Sequence, residues 1–267
     1  MAAESAHDNR YMAMDAGFDS ARALAQHAAL ASALREDLPV VTFPGNPATP
    51  DAMFPNNVFG TAPGRFIVAR MRHPVRQRET ARGDIRAFFA EVLGREEIDL
   101  SDGARGTAEL TGSLVIDHAR GIGYCGLGER CDRDGARAMH EAFGLRLTFC
   151  FELAAGEYHT NVVMTSLAGR AAILAADGFA DPAAPQAIAQ AFGGRVLWLT
   201  PEQKRDYAGN AITLSHDRVW MSARAAASLT AAQRESLAAW GFRVGTVNLS
   251  EIEKAGGSLR CCVGEIF

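Results

Sequence analysis

Gly256-Gly257-Ser258-Leu259-Arg260-Cys261-Cys262, followed by Val263-Gly264-Glu265-Ile266-Phe267, reads as a glycine turn that presents a thiol and then a short final strand. Two successive glycines let the backbone reach positive φ and approach a ligand closely, and a strand beyond them would hold the sulfur still. Taken alone, the thiol is equally well read as a small buried hydrophobe. Its meaning depends on what the rest of the chain places before other strands of the same kind.

Three polar clusters upstream have that placement. They are Pro50-Asp51-Ala52-Met53-Phe54-Pro55-Asn56-Asn57, Glu109-Leu110-Thr111-Gly112-Ser113 and Tyr158-His159-Thr160-Asn161-Val162-Val163-Met164, each running into a β-rich stretch. Polar groups at strand ends sit where loops on a rigid scaffold carry function. Together with Cys261 they supply a thiol, an imidazole and a carboxylate.

Further outward, helical periodicity marks five segments: Asp19–Arg35, Glu79–Leu93, Asp132–Phe143, Pro182–Phe192 and Thr230–Trp240. Asp19 and Thr230 suit N-caps, and Gly94, Gly144, Gly193 and Gly241 stand where helices end. Strand-like runs lie between them, at Phe66–Arg70, Ser113–Ile116, Arg146–Phe151, Arg195–Leu199 and Arg218–Met221. Successive helix starts are 60, 53, 50 and 48 residues apart, a spacing that predicts repeated strand-helix-strand units around an axis. No Pro/Gly/Ser-rich linker divides the chain, and Phe43–Pro50 reads as a rigid loop feeding a site.

Bulk properties narrow the function. A chain of 267 residues with 48% hydrophobic and 22% charged residues is an ordinary globular protein able to bury most of its apolar surface. A formal charge of -4 provides no basic field for nucleic acid or anionic lipid, so the expected partner is a small molecule, with no nucleic acid and no membrane. Met1–Arg10 has no basic stretch leading into an apolar one, and no run reaches the about 18 apolar residues of a membrane span, which predicts a cytoplasmic protein. Cys125, Cys131, Cys150, Cys261 and Cys262 show no spacing suited to zinc, so reduced thiols and no metal are expected.

The motif set PDAMFPNN (50–57), ELTGSLVID (109–117), GYCGLGERC (123–131), YHTNVVM (158–164), GNAITL (209–214) and GGSLRCC (256–262) resembles the guanidino-group-modifying superfamily. That superfamily contains arginine deiminases, amidinotransferases and dimethylarginine dimethylaminohydrolases, and the nearest likeness is to its citrulline-utilisation hydrolase-like branch. The resemblance runs from about Pro50 to Phe267. It implies an α/β pentein fold, a five-bladed propeller of ββαβ units, as one catalytic domain over residues 1–267 with the substrate in the central channel. It also implies that Cys261 is the nucleophile, His159 the general acid/base and Glu109 the carboxylate of the site. Asn56 and Asn57 stand where relatives carry an acidic pair that grips the guanidinium, with an acid at the place of Asp51. Arg76 and Arg130 match arginines that hold the substrate's α-carboxylate. No metal or organic cofactor is implied. The chain departs from the pattern in ELTGS, in a pair of glycines where relatives have three, and in the lack of a clear first strand before Asp19.

These residue types suit attack on a nitrogen-stabilised carbon. A thiolate is a strong nucleophile, provided that a neighbouring positive charge, such as protonated His159, Arg260 or the substrate cation, favours its ionisation. The imidazole then protonates the departing nitrogen and activates water, while the carboxylate fixes the ring. A guanidinium offers only donors and pairs with carboxylates, whereas a ureido group offers donors and one carbonyl acceptor, the pattern that a carboxamide matches. Asn56, Asn57 and Asn161 therefore favour a ureido amino acid such as citrulline, with Asp51 still able to hold a cation. The alternatives are an arginine deiminase or dimethylargininase, an amidinotransferase, and a catalytically silent binding module. A redox switch at Cys125, Cys131 or Cys262 and assembly into a homo-oligomer are also compatible with the sequence.

Overall fold

The computed structural model describes residues 9–13, 17–102 and 106–267; residues 1–8, read above for targeting, lie outside them. The described strands form four three-stranded sheets on one plan. In the first, β1 (Phe59–Ala62) runs antiparallel to β2 (Arg65–Val68), the chain crosses over through helical segments, and β3 (Glu96–Asp99) returns parallel to β2. The second repeats this with β4 (Leu114–Asp117), β5 (Ile122–Leu127), the helix Arg133–Phe143 and β6 (Leu147–Glu152). The third uses β7 (Met164–Leu167), β8 (Ala171–Leu174), the helix Ala183–Ala191 and β9 (Val196–Trp198). The fourth uses β10 (Ile212–Thr213), β11 (Arg218–Ser222), the helices Ala223–Ser228 and Ala231–Ala239, and β12 (Arg243–Val247).

Each middle strand pairs on both edges and is covered on both faces, so it reads as a continuous apolar run. Ala171, Ala172, Ile173 and Leu174 of β8 are fully buried, as are Ile67 and Val68 of β2. Burying the Val, Ile and Leu side chains among these stabilises by roughly 1.5–3 kcal/mol each, which fixes the sheets around the core. Local signals agree with this. Asp132 Oδ1 caps the second crossover helix by accepting from Gly135 N, and Gly144 ends it in the left-handed region at φ 63°. Thr230 closes a capping box with Gln233. No helix of the described residues is long and apolar enough to cross a membrane.

Three expectations need correction. Glu79–Leu93 is not one helix: the chain forms Pro74–Thr80, Gly83–Ala87 and a wide turn at Phe88–Val92. Arg86 Nε donates to Thr80 O (2.7 Å), so a side chain takes the carbonyl that a continuous helix would have used. Next, Val263–Phe267 forms no strand. Thr61 Oγ1 donates to Glu265 O (2.8 Å) and accepts from Phe267 N (3.0 Å), tying the run down without a ladder. Lastly, five sheeted units were expected and four are formed among the described residues. The helix Ser20–Leu34, capped by Asp19, belongs to none of these sheets and buries Ala23, Leu30 and Leu34 with Val247, Leu249 and Ile252.

Gly135 is required by close approach. An added Cβ would lie 1.8 Å from Thr107 O, a backbone atom that cannot swing away. Gly135→Ala is expected to lower stability by about 1–3 kcal/mol. Urea unfolding checks this: the midpoint should fall at unchanged slope, and an unchanged midpoint would refute the packing argument.

Candidate active site

Each sheet begins just after a tight turn, and these turns converge. Pro55–Asn57 precedes β1, Leu110–Ser113 precedes β4, Thr160–Val163 precedes β7, and Gly209-Asn210 precedes β10. The turn Leu259–Cys262 packs against Pro55–Asn57, which in turn packs against Leu110–Ser113. Repetition of the unit therefore delivers Asn56, Glu109, His159, Asn210 and Cys261 to one region.

Glu109 is the centre of the arrangement and has no exposed surface. Its Oε2 accepts from Asn57 Nδ2 (3.0 Å) and lies 2.8 Å from His159 Nε2, and its Oε1 accepts from the backbone N–H of Arg72 (3.1 Å). Arg130 Nη1 reaches both oxygens at 3.3 and 3.2 Å. Burial pushes this carboxyl up, but Arg130, the His159 hydrogen bond and Arg76 outweigh it and hold the group well below the usual carboxylate range. It is an anion that fixes which nitrogen of His159 faces it.

His159 sits against Gly112, where an added Cβ would come within 2.7 Å of its Cε1 and 2.9 Å of Asn57 Cβ. Burial drives the imidazole pKa down, the Glu109 bond only partly opposes this, and Arg130 and Arg76 lower it further. The ring is therefore neutral at pH 7. The thiol of Cys261 is neutral as well: burial raises its pKa, against the hydrogen bond from Asn210 and the positive charges of Arg260 and Arg76. Of the charges expected to favour ionisation of the thiol, Arg260 does act on it.

Two carboxamides hold the sulfur. Asn210 Nδ2 lies 3.3 Å from Cys261 Sγ and Asn161 Nδ2 lies 3.9 Å away. Asn210 Oδ1 accepts from Arg260 N (3.0 Å), so one side chain grips both the thiol and the backbone beside it. A single turn, with Cys261 N donating to Ser258 O, does the positioning that was expected of a final strand.

Cys261 and His159 line one small cavity of ≈ 30 Å³, room for about two waters. Asp51, Asn56, Asn57, Arg76 and Arg130 also line it, whereas Glu109 reaches the site through its bonds to His159 and Asn57, and Asn161 does not line the cavity but stands 3.9 Å from the thiol. Their environments differ. Asn57 is used at both ends, donating to Glu109 and accepting from Arg76 Nη2 (2.9 Å), and Asn161 donates to Thr111 O and accepts from Asn210. Arg76 is paired with Glu79 through Nε (2.6 Å) and Nη2 (3.0 Å). Asp51 Oδ2 and Asn56 Nδ2 are buried on this wall without a hydrogen-bond partner among the described residues. Asn9 and Met12 close the cavity from the N-terminal side, where Met12 bridges Ala255.

Sequence reading missed Asn210, Glu79 and these N-terminal residues. Asn210 carried a usable signal, since Gly209-Asn210 precedes β10 as the other site residues precede β1, β4 and β7. Met12 carried none, because its role arises from a contact distant in sequence, and Glu79 stands three residues from Arg76, a spacing shared with ordinary surface pairs on a helix.

The four ββαβ sheets and the buried Cys-His-Glu arrangement define a member of the guanidino-group-modifying enzymes. The whole chain, residues 1–267, matches the family described as N,N dimethylarginine dimethylhydrolase, eukaryotic, and it belongs to that family, among hydrolases of C–N bonds other than peptide bonds. The uncharacterized protein YkgA of Bacillus subtilis (strain 168) is 25% identical over 240 residues, which cover 89% of this chain and 77% of YkgA. Among solved structures, the substrate-bound N-terminal domain of ArgZ, an arginine dihydrolase from the ornithine-ammonia cycle in Cyanobacteria, superposes with a TM-score of 0.82 at 21% identity. That match covers 95% of this chain and 90% of the ArgZ domain. A dimethylarginine dimethylaminohydrolase adduct gives a TM-score of 0.73 at 24% identity, covering 95% of this chain and 94% of the other. These structural likenesses establish the fold.

Two outcomes follow from the geometry. Alkylation of Cys261 by iodoacetamide in the free protein should be slow at pH 7 and climb through and beyond pH 9.0, the ordinary thiol value, because burial raises the pKa; a rate already at plateau by pH 7 would contradict this. Gly112→Ala should leave the protein folded but displace the imidazole, cutting turnover of any substrate that the wild type hydrolyses by about 10²-fold.

Proposed function

We propose that the protein is a cysteine hydrolase of a free amino acid bearing a ureido or guanidino head group, acting through a covalent S-bonded intermediate. The observation that carries the reading is the cavity wall on which Cys261 and His159 stand beside two unpartnered polar atoms, Asp51 Oδ2 and Asn56 Nδ2. An acceptor next to a donor complements a ureido group, whose N–H groups can bond Asp51 while its carbonyl oxygen accepts from Asn56. Citrulline is accordingly the favoured substrate. A separate observation supports a guanidinium such as that of arginine: Arg76 and Arg130 already face Glu79 and Glu109, leaving Asp51 as the acid on the wall not paired with an arginine.

The steps use the resting charge states. Substrate binding brings the electrophilic carbon to Sγ; the Cys261 proton passes to His159, the thiolate attacks, and the imidazolium returns that proton to the departing nitrogen. His159 then takes a proton from water as it attacks the S-bonded carbon, and the collapse of that adduct restores the thiol. Glu109 stays ionised throughout and stabilises the transient imidazolium. Asn210 steadies the developing thiolate. Arg76 and Arg130 are assigned to the α-carboxylate. In this reading residues 1–267 form one cytoplasmic pentein domain, with Ser20–Leu34 and the C-terminal run at the fifth blade position.

The test is incubation with citrulline, arginine, agmatine and dimethylarginine, scoring release of ammonia, ornithine and citrulline. Turnover should fall by roughly 10³-fold or more in Cys261→Ser. Asp51→Asn should reduce turnover of a cationic substrate by about ten- to a hundredfold while sparing a neutral one. Consumption of none of the four substrates, or turnover that survives Cys261→Ser, would overturn the proposal.

A further inference from the structure

Among the described residues, Ala168 and Tyr207 are the two other than glycine whose φ is positive, at 49° and 62°. Tyr207 closes the helix Pro201–Arg205: its own N–H donates to Lys204 O (2.9 Å), and the next N–H, that of Ala208, donates to Gln203 O (3.0 Å). This paired closure puts one residue in the left-handed region, a place that glycine fills without steric penalty. A bulky aromatic residue stands there instead and is only 2% exposed, which raises the question of what its side chain does.

The two polar ends of Tyr207 answer it. Its carbonyl oxygen accepts from Asn210 N (2.8 Å), which sets the carboxamide whose Nδ2 lies 3.3 Å from Cys261 Sγ. Its hydroxyl donates to Glu253 O (3.2 Å), the carbonyl that also accepts from Gly256 N (3.0 Å) where the turn of the thiol begins. The bonds continue along that turn, with Ser258 Oγ donating to Glu253 Oε1 (2.8 Å) and Cys261 N donating to Ser258 O (3.0 Å). Both partners of the Asn210–Cys261 contact therefore hang on one residue, the carboxamide through its backbone and the thiol through its hydroxyl. Burial pushes the Tyr207 phenol well above the usual tyrosine range, so it stays a donor.

We infer that Tyr207 is a positioning residue for the nucleophile, holding Asn210 Nδ2 against Cys261 Sγ so that the emerging thiolate is met by a hydrogen bond. Glycine at this place would relieve the backbone and cut the tether to Glu253, so the left-handed conformation and the hydroxyl serve one purpose. The inference rests on the proposed function only in naming Cys261 as the nucleophile. Its test reads the thiol itself and uses no substrate, so it stands or falls apart from the hydrolase reading.

The measurement is iodoacetamide alkylation of Cys261 against pH, followed by peptide mass spectrometry. Tyr207→Phe removes the hydroxyl and keeps the ring. The midpoint of the profile should rise by about 0.5–1 pH unit, equivalent to about three- to tenfold slower reaction below it, because the bond that favours the thiolate is loosened. Asn210→Ala should raise the midpoint at least as far, and in that background Tyr207→Phe should add no further shift, since it acts through the carboxamide. Ser258→Ala cuts the next link and should shift the midpoint the same way, with the same dependence on Asn210, which keeps the test decisive if Tyr207→Phe does not fold. The titratable and charged groups that face the sulfur are unchanged in all these variants: Asp51, Arg76, Arg130, Tyr158 and His159 around the cavity, with Arg260 and Cys262 beside it in the chain. An unchanged midpoint overturns the inference, as does an equal shift with and without Asn210. Faster alkylation at an unchanged midpoint reports only a looser turn and overturns it as well.

Discussion

A carboxylate with no exposed surface, Glu109, sits where the sheets meet, and a charge can stay there only if its oxygens are fully engaged. Its partners come from different parts of the molecule: Asn57 before β1, the Arg72 N–H after β2, Arg130 after β5 and His159 before β7. One anion thus registers three sheets against each other. Removing one member of such a buried set typically costs about 3–5 kcal/mol, because the remaining charge is left without a partner. That asymmetry makes the position of His159 insensitive to small movements elsewhere. Asn57 extends the network to Arg76 and Glu79, so the guanidinium groups on the cavity wall are held by the same set of bonds.

The resting site is electrically quiet where the chemistry happens. Thiol and imidazole are both neutral, the first because burial raises its pKa and the second because burial lowers it. Under the proposed mechanism, proton transfer between them awaits a substrate that changes the local field. Enclosure serves the same end, and the N-terminal residues that provide it are firmly anchored. Tyr11 and Arg10 bond Glu157, two residues from His159, and Lys204 joins the same carboxylate (2.6 Å) and Asp177 (2.7 Å). Under the proposed function, admitting an amino acid to a cavity of ≈ 30 Å³ requires those residues to move.

Much of this was legible residue by residue. Four helices were readable because caps such as Asp19, Asp132 and Thr230 stand at the head of apolar periodicity, and the helix spacing revealed a repeating unit. Cys261, His159 and Glu109 were readable because each stands just before a strand or turn in an otherwise apolar context. The helical turns Leu110–Ser113 and Thr160–Val163 were not, since four residues are too few to show a period. Asn57 and Asn161 were assigned to substrate on residue type, and the structure gives both internal partners instead, which type alone does not reveal.

By itself the amino-acid order determined the repeat, the motif set and the proposed catalytic trio, because periodicity, capping and short motifs are local properties of a chain. Tertiary structure decided the rest. Val263–Phe267 is tied down by Thr61, through Glu265 O and Phe267 N, and not by a ladder. Whether the imidazole is charged depends on how deeply it is buried and which ions surround it. Pairing, burial and electrostatic neighbourhood all arise between residues far apart in sequence, and only the folded arrangement sets their distances.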